Sequence, residues 1–246
     1  GKAEGLPPLH CGHYEHWLEY GYFEQGRVRA AEQTVEDCAQ SGRDDAEWMR
    51  AHPGESPGVG RTPGFLLGAL SFMWERAVIE SQDWRYALKP AFDVAKLSAD
   101  GSGNSWVDFI SGYAAAQRGD LALASSEAHA MQEKMEMHRA TANVDAQDAQ
   151  YKVIMFDELN GLIQVKEGHS DAGLAEIHHA WETYRSMAFD FGPPATIKPP
   201  EELLGELLLA KRDAAGARQA FENALQRAPR RTQSLLGLAR AEALAG

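Results

Sequence analysis

Apolar and small residues recur at helical spacing along most of the chain, and short polar or glycine-containing stretches interrupt them. The clearest example lies near the C-terminal end, where Leu204, Gly205 and Leu208 fall on one face of a helical period. After a polar break, Ala217 and Phe221 fall on one face of a second period, which a proline ends. Runs of β-branched residues long enough for a strand are few. The pattern therefore predicts an all-α fold built from antiparallel helix hairpins.

The same hairpin template recurs upstream, each time as a turn followed by a small residue in the second helix. The predicted turns lie at Gly26, Asp83, Gly119, Gly168 and Asp213. With a last helix over residues 235–246, five hairpins account for most of the chain. Two stretches rich in glycine and proline, residues 51–64 and 191–200, interrupt the array. They are predicted as loops, because proline removes a backbone donor and disfavours helix in the residue before it.

The last repeat resembles the tetratricopeptide repeat, whose unit is about 34 residues long. The residues that carry this resemblance are Gly205, Ala217, Phe221, Ala224 and Pro229. The whole chain is similar to a broad group of bacterial tetratricopeptide-repeat proteins of unassigned activity, through FGPP at 191–194, KP at 198–199, ELLGE at 202–206 and LLGLAR at 235–240.

This resemblance implies a right-handed superhelical array of antiparallel helix hairpins, an α-solenoid that forms one domain over residues 1–246. It also implies a scaffold that binds a protein or a peptide, without naming the partner. Members of the group are often longer at the N-terminus, and this chain begins without a methionine. We therefore expect upstream residues of a longer protein to precede it.

The charge and the cysteine content narrow the class of partner and the compartment. A formal net charge of −12, with 36 acidic against 24 basic residues, disfavours a nucleic-acid partner. No apolar stretch is long enough for a transmembrane helix, so membrane insertion is not expected. Cys11 and Cys38 flank two antiparallel helices and could form a disulfide in an exported protein, but two reduced thiols are the favoured reading. The sequence leaves the compartment open and favours the cytoplasm slightly over the periplasm.

In a helical array, the first helix of each hairpin lines a concave groove that binds extended or helical segments. The side chains expected there are aromatic in the N-terminal half and acidic near the C-terminal end, which predicts a partner with apolar anchors followed by lysine or arginine. The groove residues are His13, His16, Tyr20, Phe23, Phe72, Arg76, Trp106, Phe109, Tyr113, Glu158, Glu202 and Glu206. The alternative is that these aromatic residues pack between adjacent repeats as core.

A second hypothesis is a metal site. His10, Cys11, His13 and His16 lie within two helical turns, and imidazole with thiolate binds zinc or copper. No HExxH motif accompanies them. The glycine-rich residues 58–64 lack the strand and the Gly-Lys-Ser/Thr ending of a phosphate-binding loop. The sequence therefore predicts a protein that is not an enzyme and needs no cofactor.

Self-association is a third possibility. The apolar face of the last helix, over residues 235–246, has no second helix after it in this chain. Such a face is covered by the chain itself, by a partner or by a second copy.

Overall fold

In the computed structural model the described residues are 8–88, 105–139, 146–188 and 192–246. Within these ranges the chain is helical and contains no β-strand, which confirms the all-α class. The helices are α1 (His13–Glu24), α2 (Val28–Ala51), α3 (Pro63–Ser81), α4 (Ser105–Arg118), α5 (Leu121–Arg139), α6 (Ala146–Lys166), α7 (Ser170–Ser186), α8 (Pro200–Ala210), α9 (Ala214–Arg227) and α10 (Thr232–Ala245). A short 3-10 helix, Tyr86–Leu88, follows α3.

The chain packs as two compact units, Gly1–Val107 and Asp108–Gly246. Among the described residues, the first unit contains α1, α2, α3, the 3-10 helix and the first turn of α4. The second unit contains the rest of α4 and the helices α5 to α10. The sequence predicted one domain over residues 1–246, and each unit is described separately below.

The predicted turns at Gly26, Gly119 and Gly168 separate helices that follow one another in the chain. All three glycines have positive φ angles, of 68°, 85° and 94°, a conformation that glycine adopts without steric penalty. Asp213 begins α9, and its side chain accepts a hydrogen bond from the amide of Gly216 at 2.9 Å. The turn at Asp83 follows α3, but most of the second helix predicted after it falls outside the described residues.

The two predicted loops are also present where the structure describes them. Residues 52–62 separate α2 from α3, and residues 192–199 precede α8. Both helices that follow a loop begin with proline, Pro63 and Pro200, at the position where the missing amide would have no helical partner.

Small residues bring the helices of the second unit close together. Phe221 of α9 is fully buried, and a Cβ atom added at Gly205 of α8 would lie 2.8 Å from its ring. A Cβ atom at Gly237 of α10 would overlap the same ring. The two glycines therefore let both α8 and α10 approach one aromatic side chain closely, and Ala217 and Ala224 of α9 are also buried.

The packing order in the second unit follows the chain. The helices α6 and α7, α8 and α9, and α9 and α10 pack as neighbours, and α8 also contacts α6 and α10. On α10, Leu235 and Leu236 remain 45% and 47% exposed, whereas Leu238 packs against the core around Phe221. The proposed surface for self-association is therefore partly exposed, and self-association itself stays a prediction.

Candidate functional site

A group of aromatic rings lies at the surface of the first unit, and we call it the aromatic cluster: His16 and Tyr20 of α1, Phe72 of α3 and Trp106 of α4. All four side chains are half-buried. The rings of His16 and Phe72 have centroids 4.5 Å apart, and those of Phe72 and Trp106 are 5.4 Å apart, both in edge-to-face geometry. The structure thus brings together four predicted groove residues that are far apart in sequence.

A fully buried arginine, Arg76 of α3, supports this cluster from the interior. Its Nε donates a hydrogen bond to Nε2 of His16 at 2.9 Å, and its guanidinium lies 5.0 Å from the ring centroid of Tyr20. Glu80 balances the charge, with an oxygen 3.4 Å from Nη1. Burial, reinforced by the charge of Arg76, lowers the pKa of His16 to about 2, so the ring is neutral and accepts the hydrogen bond.

The other predicted groove residues of the first unit lie differently. His13 is exposed, and the centroid of its ring lies 5.0 Å from the ring centroid of Trp17 on the same helix. Phe23 is buried in the core and is not part of the surface.

Glu19 was not selected from the sequence, although it follows His16 by one helical turn. It is fully buried, and neither carboxyl oxygen has a hydrogen-bond partner within the described part of the chain. Burial raises its pKa well above the usual value, an effect that Arg76 opposes and Glu80 reinforces. Three buried ionisable residues, Glu19, Arg76 and Glu80, therefore lie on the interior side of the aromatic cluster.

The four residues of the metal hypothesis have other contacts in the structure. Cys11 forms a disulfide with Cys38, with their Cα atoms 4.5 Å apart, although the sequence analysis favoured reduced thiols. The Nε2 atom of His16 is occupied by Arg76, and the backbone amide of His10 donates to Ser41 Oγ at 3.1 Å. Among the residues that the structure describes, no three His, Cys, Asp or Glu side chains are arranged to hold a metal ion.

The second unit contains a group of buried ionisable residues, which we call the acidic network: Glu158 of α6, Glu202 and Glu206 of α8, Lys198 just before α8, and Arg231 just before α10. Glu202 is at its centre and accepts hydrogen bonds from Arg231 Nε at 2.8 Å, Arg231 Nη2 at 3.0 Å and Lys198 Nζ at 3.0 Å. Ser234 Oγ donates to it as well, at 2.6 Å. Burial alone would raise the pKa of Glu202, but Arg231 and Lys198 lower it to about 2.

The predicted groove residues of the second unit lie mostly in its interior. Phe109, Tyr113, Glu158 and Glu202 are buried, and Glu206 is half-buried. The basic residue that the sequence analysis assigned to a partner is supplied here by the chain itself, because Lys198 Nζ bonds Glu206 Oε1 at 2.6 Å. One sequence signal for this pairing was the position of Lys198 four and eight residues before the two glutamates.

Comparison of the chain with protein-family models, with curated proteins and with solved structures found no match. In the described ranges, none of the helices combines the length and the apolar character needed to cross a bilayer. The aromatic cluster and the acidic network are therefore the two features from which a function is proposed.

Proposed function

We propose that this chain is a tetratricopeptide-like helical scaffold that binds a protein or peptide partner. The order of helix contacts in the second unit supports this, because stacked hairpins place each helix against the next and against the one after it. The shared contact of Gly205 and Gly237 with Phe221 also supports it, since close hairpin packing requires small residues at such positions.

The aromatic cluster is the recognition surface that we propose, and its geometry is the observation that carries the proposal. Phe72 and Trp106 are half-exposed, and aromatic side chains dominate the binding energy of protein interfaces. Arg76 holds His16 through a hydrogen bond and Tyr20 through a cation–π contact. A surface fixed before binding loses less conformational entropy when a partner docks. The expected ligand is a segment with apolar or aromatic anchors.

Selection from a displayed library of random peptides tests this proposal. Peptides enriched on the wild-type chain should bind a Phe72→Ala/Trp106→Ala variant at least about tenfold more weakly, because truncating an interface anchor costs more than about 1 kcal/mol. The matched control is Tyr14→Ala, which removes a ring on α1 that is 83% exposed and lies outside the cluster. The control should bind like the wild type.

Circular dichroism separates a lost surface from a lost fold. The proposal is rejected if the double variant is as helical as the wild type and binds the enriched peptides equally well. Enrichment of no peptide on the wild type would also count against it.

A further inference from the structure

The described residues just before α8, 194–199, are largely buried although they are not helical. Thr196, Ile197 and Lys198 are 0%, 1% and 3% exposed. Connecting segments normally lie on the surface, because a buried one has backbone groups that need partners. Prolines at 193, 194 and 199 reduce this demand, since each lacks a backbone N–H group and favours an extended chain. Residues 194–199 thus form a largely buried, non-helical segment that is rich in proline.

Lys198 anchors this segment to α8. Its Nζ donates to Glu202 at 3.0 Å and to Glu206 at 2.6 Å, both on α8. Its charge also lowers the pKa values of Tyr113 on α4 and Glu158 on α6, against the larger effect of burial. The helices α4, α6 and α8 are the first helices of the predicted hairpins, which are the helices that would bind a partner in a scaffold of this kind.

The site beneath the segment has more carboxyl groups than cations. Glu158, Glu202 and Glu206 face the charges of Lys198 and Arg231. Glu158 is fully buried, and in the described part of the chain neither of its oxygens has a hydrogen-bond partner. Burial raises the pKa of Glu158 well above its usual value, so Glu202 and Glu206 are the carboxyl groups with which a positively charged ligand would pair.

Departure of Lys198 would leave no fully buried ionised carboxylate without a partner. Glu202 would keep both nitrogens of Arg231 and the hydroxyl of Ser234. Glu206 is half-exposed, so water can replace the lysine there. Losing one partner of a buried ion pair is costly only when the other charge is left uncompensated. The contacts of Lys198 are therefore compatible with exchange.

We propose that residues 192–199 are a tethered ligand, and that the acidic residues of α6 and α8 bind a partner segment with a lysine next to proline, which displaces them. This inference rests on the proposed peptide binding and adds to it a second surface with its own partner chemistry. The tether competes with the partner at the high effective concentration of an intramolecular ligand, on the order of millimolar. Weakening the tether should therefore strengthen partner binding.

The test uses the full chain and a labelled synthetic peptide with the sequence of residues 192–200, GPPATIKPP, followed by fluorescence anisotropy. A Lys198→Met variant, which keeps an unbranched apolar stem without the charge, should bind the peptide at least about tenfold more tightly than the wild type. A Lys198→Arg variant keeps the cation and should bind like the wild type. A control peptide with methionine in place of the lysine should not bind.

Equal affinity of the wild type and the Lys198→Met variant would overturn the inference, as would equal binding of the lysine and methionine peptides. Hydrogen exchange on the wild type provides a measurement that needs no variant. Saturating GPPATIKPP should speed exchange of the amides of residues 195–198, and unchanged exchange would overturn the inference. A Lys198→Met variant that binds the display-selected peptides but not GPPATIKPP rejects the tethered ligand alone, whereas enrichment of no peptide on the wild type rejects the scaffold as well.

Discussion

Buried carboxyl groups occur in both units, and at the scale of the residue they determine how stability depends on pH. Burial raises the pKa of Glu201, at the start of α8, to about 7, against the opposing effect of Arg227. Burial also raises the pKa values of Glu19 and Glu158 well above the usual range. Each of these groups therefore binds a proton more readily in the folded chain than in the unfolded chain.

Glu201→Gln should remove the part of the pH dependence of stability that Glu201 causes between pH 4.5, the ordinary pKa of glutamate, and about 7. In this window Glu201 binds its proton more tightly in the folded chain than in the unfolded chain, so its contribution to the free energy of unfolding falls as pH rises. The share of Glu201 in this fall is about 3 kcal/mol at most. Urea unfolding, followed by circular dichroism at several pH values in the window, measures it.

The matched control is Glu242→Gln, because Glu242 is exposed on α10. This variant should keep the pH dependence of the wild type. An identical pH dependence for Glu201→Gln and the wild type would show that Glu201 does not titrate as described.

At the scale of the element, close helix packing depends on individual glycines. Gly205 of α8 faces the buried ring of Phe221, whereas Gly68 of α3 has no atom of another element within 4 Å of the position of its Cβ. Both lie inside helices, where alanine is intrinsically preferred over glycine. Alanine substitutions at these two glycines therefore separate the effect of helix propensity on stability from the effect of packing.

Gly205→Ala should destabilise the chain by about 1–3 kcal/mol, because the new methyl group would overlap a ring that cannot move into solvent. Gly68→Ala should stabilise it by roughly 0.5–1 kcal/mol through propensity alone. Denaturant unfolding of both variants gives the two values. If both substitutions changed stability in the same direction by the same amount, the packing of α8 on Phe221 would be contradicted.

Helices and turns could be predicted from the sequence because their signals are local. The turns at Gly26, Gly119, Gly168 and Asp213 each coincide with the end of a helical period. The direction in which aromatic residues face could not be predicted. Phe72 and Tyr113 both lie on helices with apolar residues at helical spacing, yet of these two only Phe72 reaches the surface. That difference depends on tertiary contacts, which helical spacing does not encode.

At the scale of the whole molecule, the sequence identified acidic groove residues but not what would neutralise them. Glu202 and Glu206 were expected to meet a basic partner, and Lys198 and Arg231 of the same chain meet Glu202 instead. Arg231 lies 29 residues from Glu202 in sequence. Such a contact depends on how hairpins stack, so a single sequence without aligned relatives does not reveal it.

The disulfide between Cys11 and Cys38 connects the start of α1 to α2, two elements of the first unit. The bond closes a loop between two residues that are 27 apart in sequence. Closing a loop of this length usually stabilises the folded chain relative to the unfolded chain by about 2–4 kcal/mol.

Reduction should therefore lower the melting temperature of the wild type, and a Cys11→Ser/Cys38→Ser variant should melt at the lower temperature with or without reductant. Thermal denaturation in the two conditions, with intact mass under non-reducing conditions, measures both effects. A melting temperature of the wild type that does not respond to complete reduction would contradict a stabilising role for the bond.

The most direct test of the scaffold is to locate where a display-selected peptide contacts the chain. The chain has six tryptophans, and a ¹H–¹⁵N spectrum resolves their indole signals, with that of Trp106 assigned by a Trp106→Phe variant. We predict that the peptide shifts the Trp106 signal and leaves unchanged that of Trp48 on α2, which stacks on His52 just after that helix. Saturating binding without any change at Trp106 would contradict the assignment of the aromatic cluster as the recognition surface.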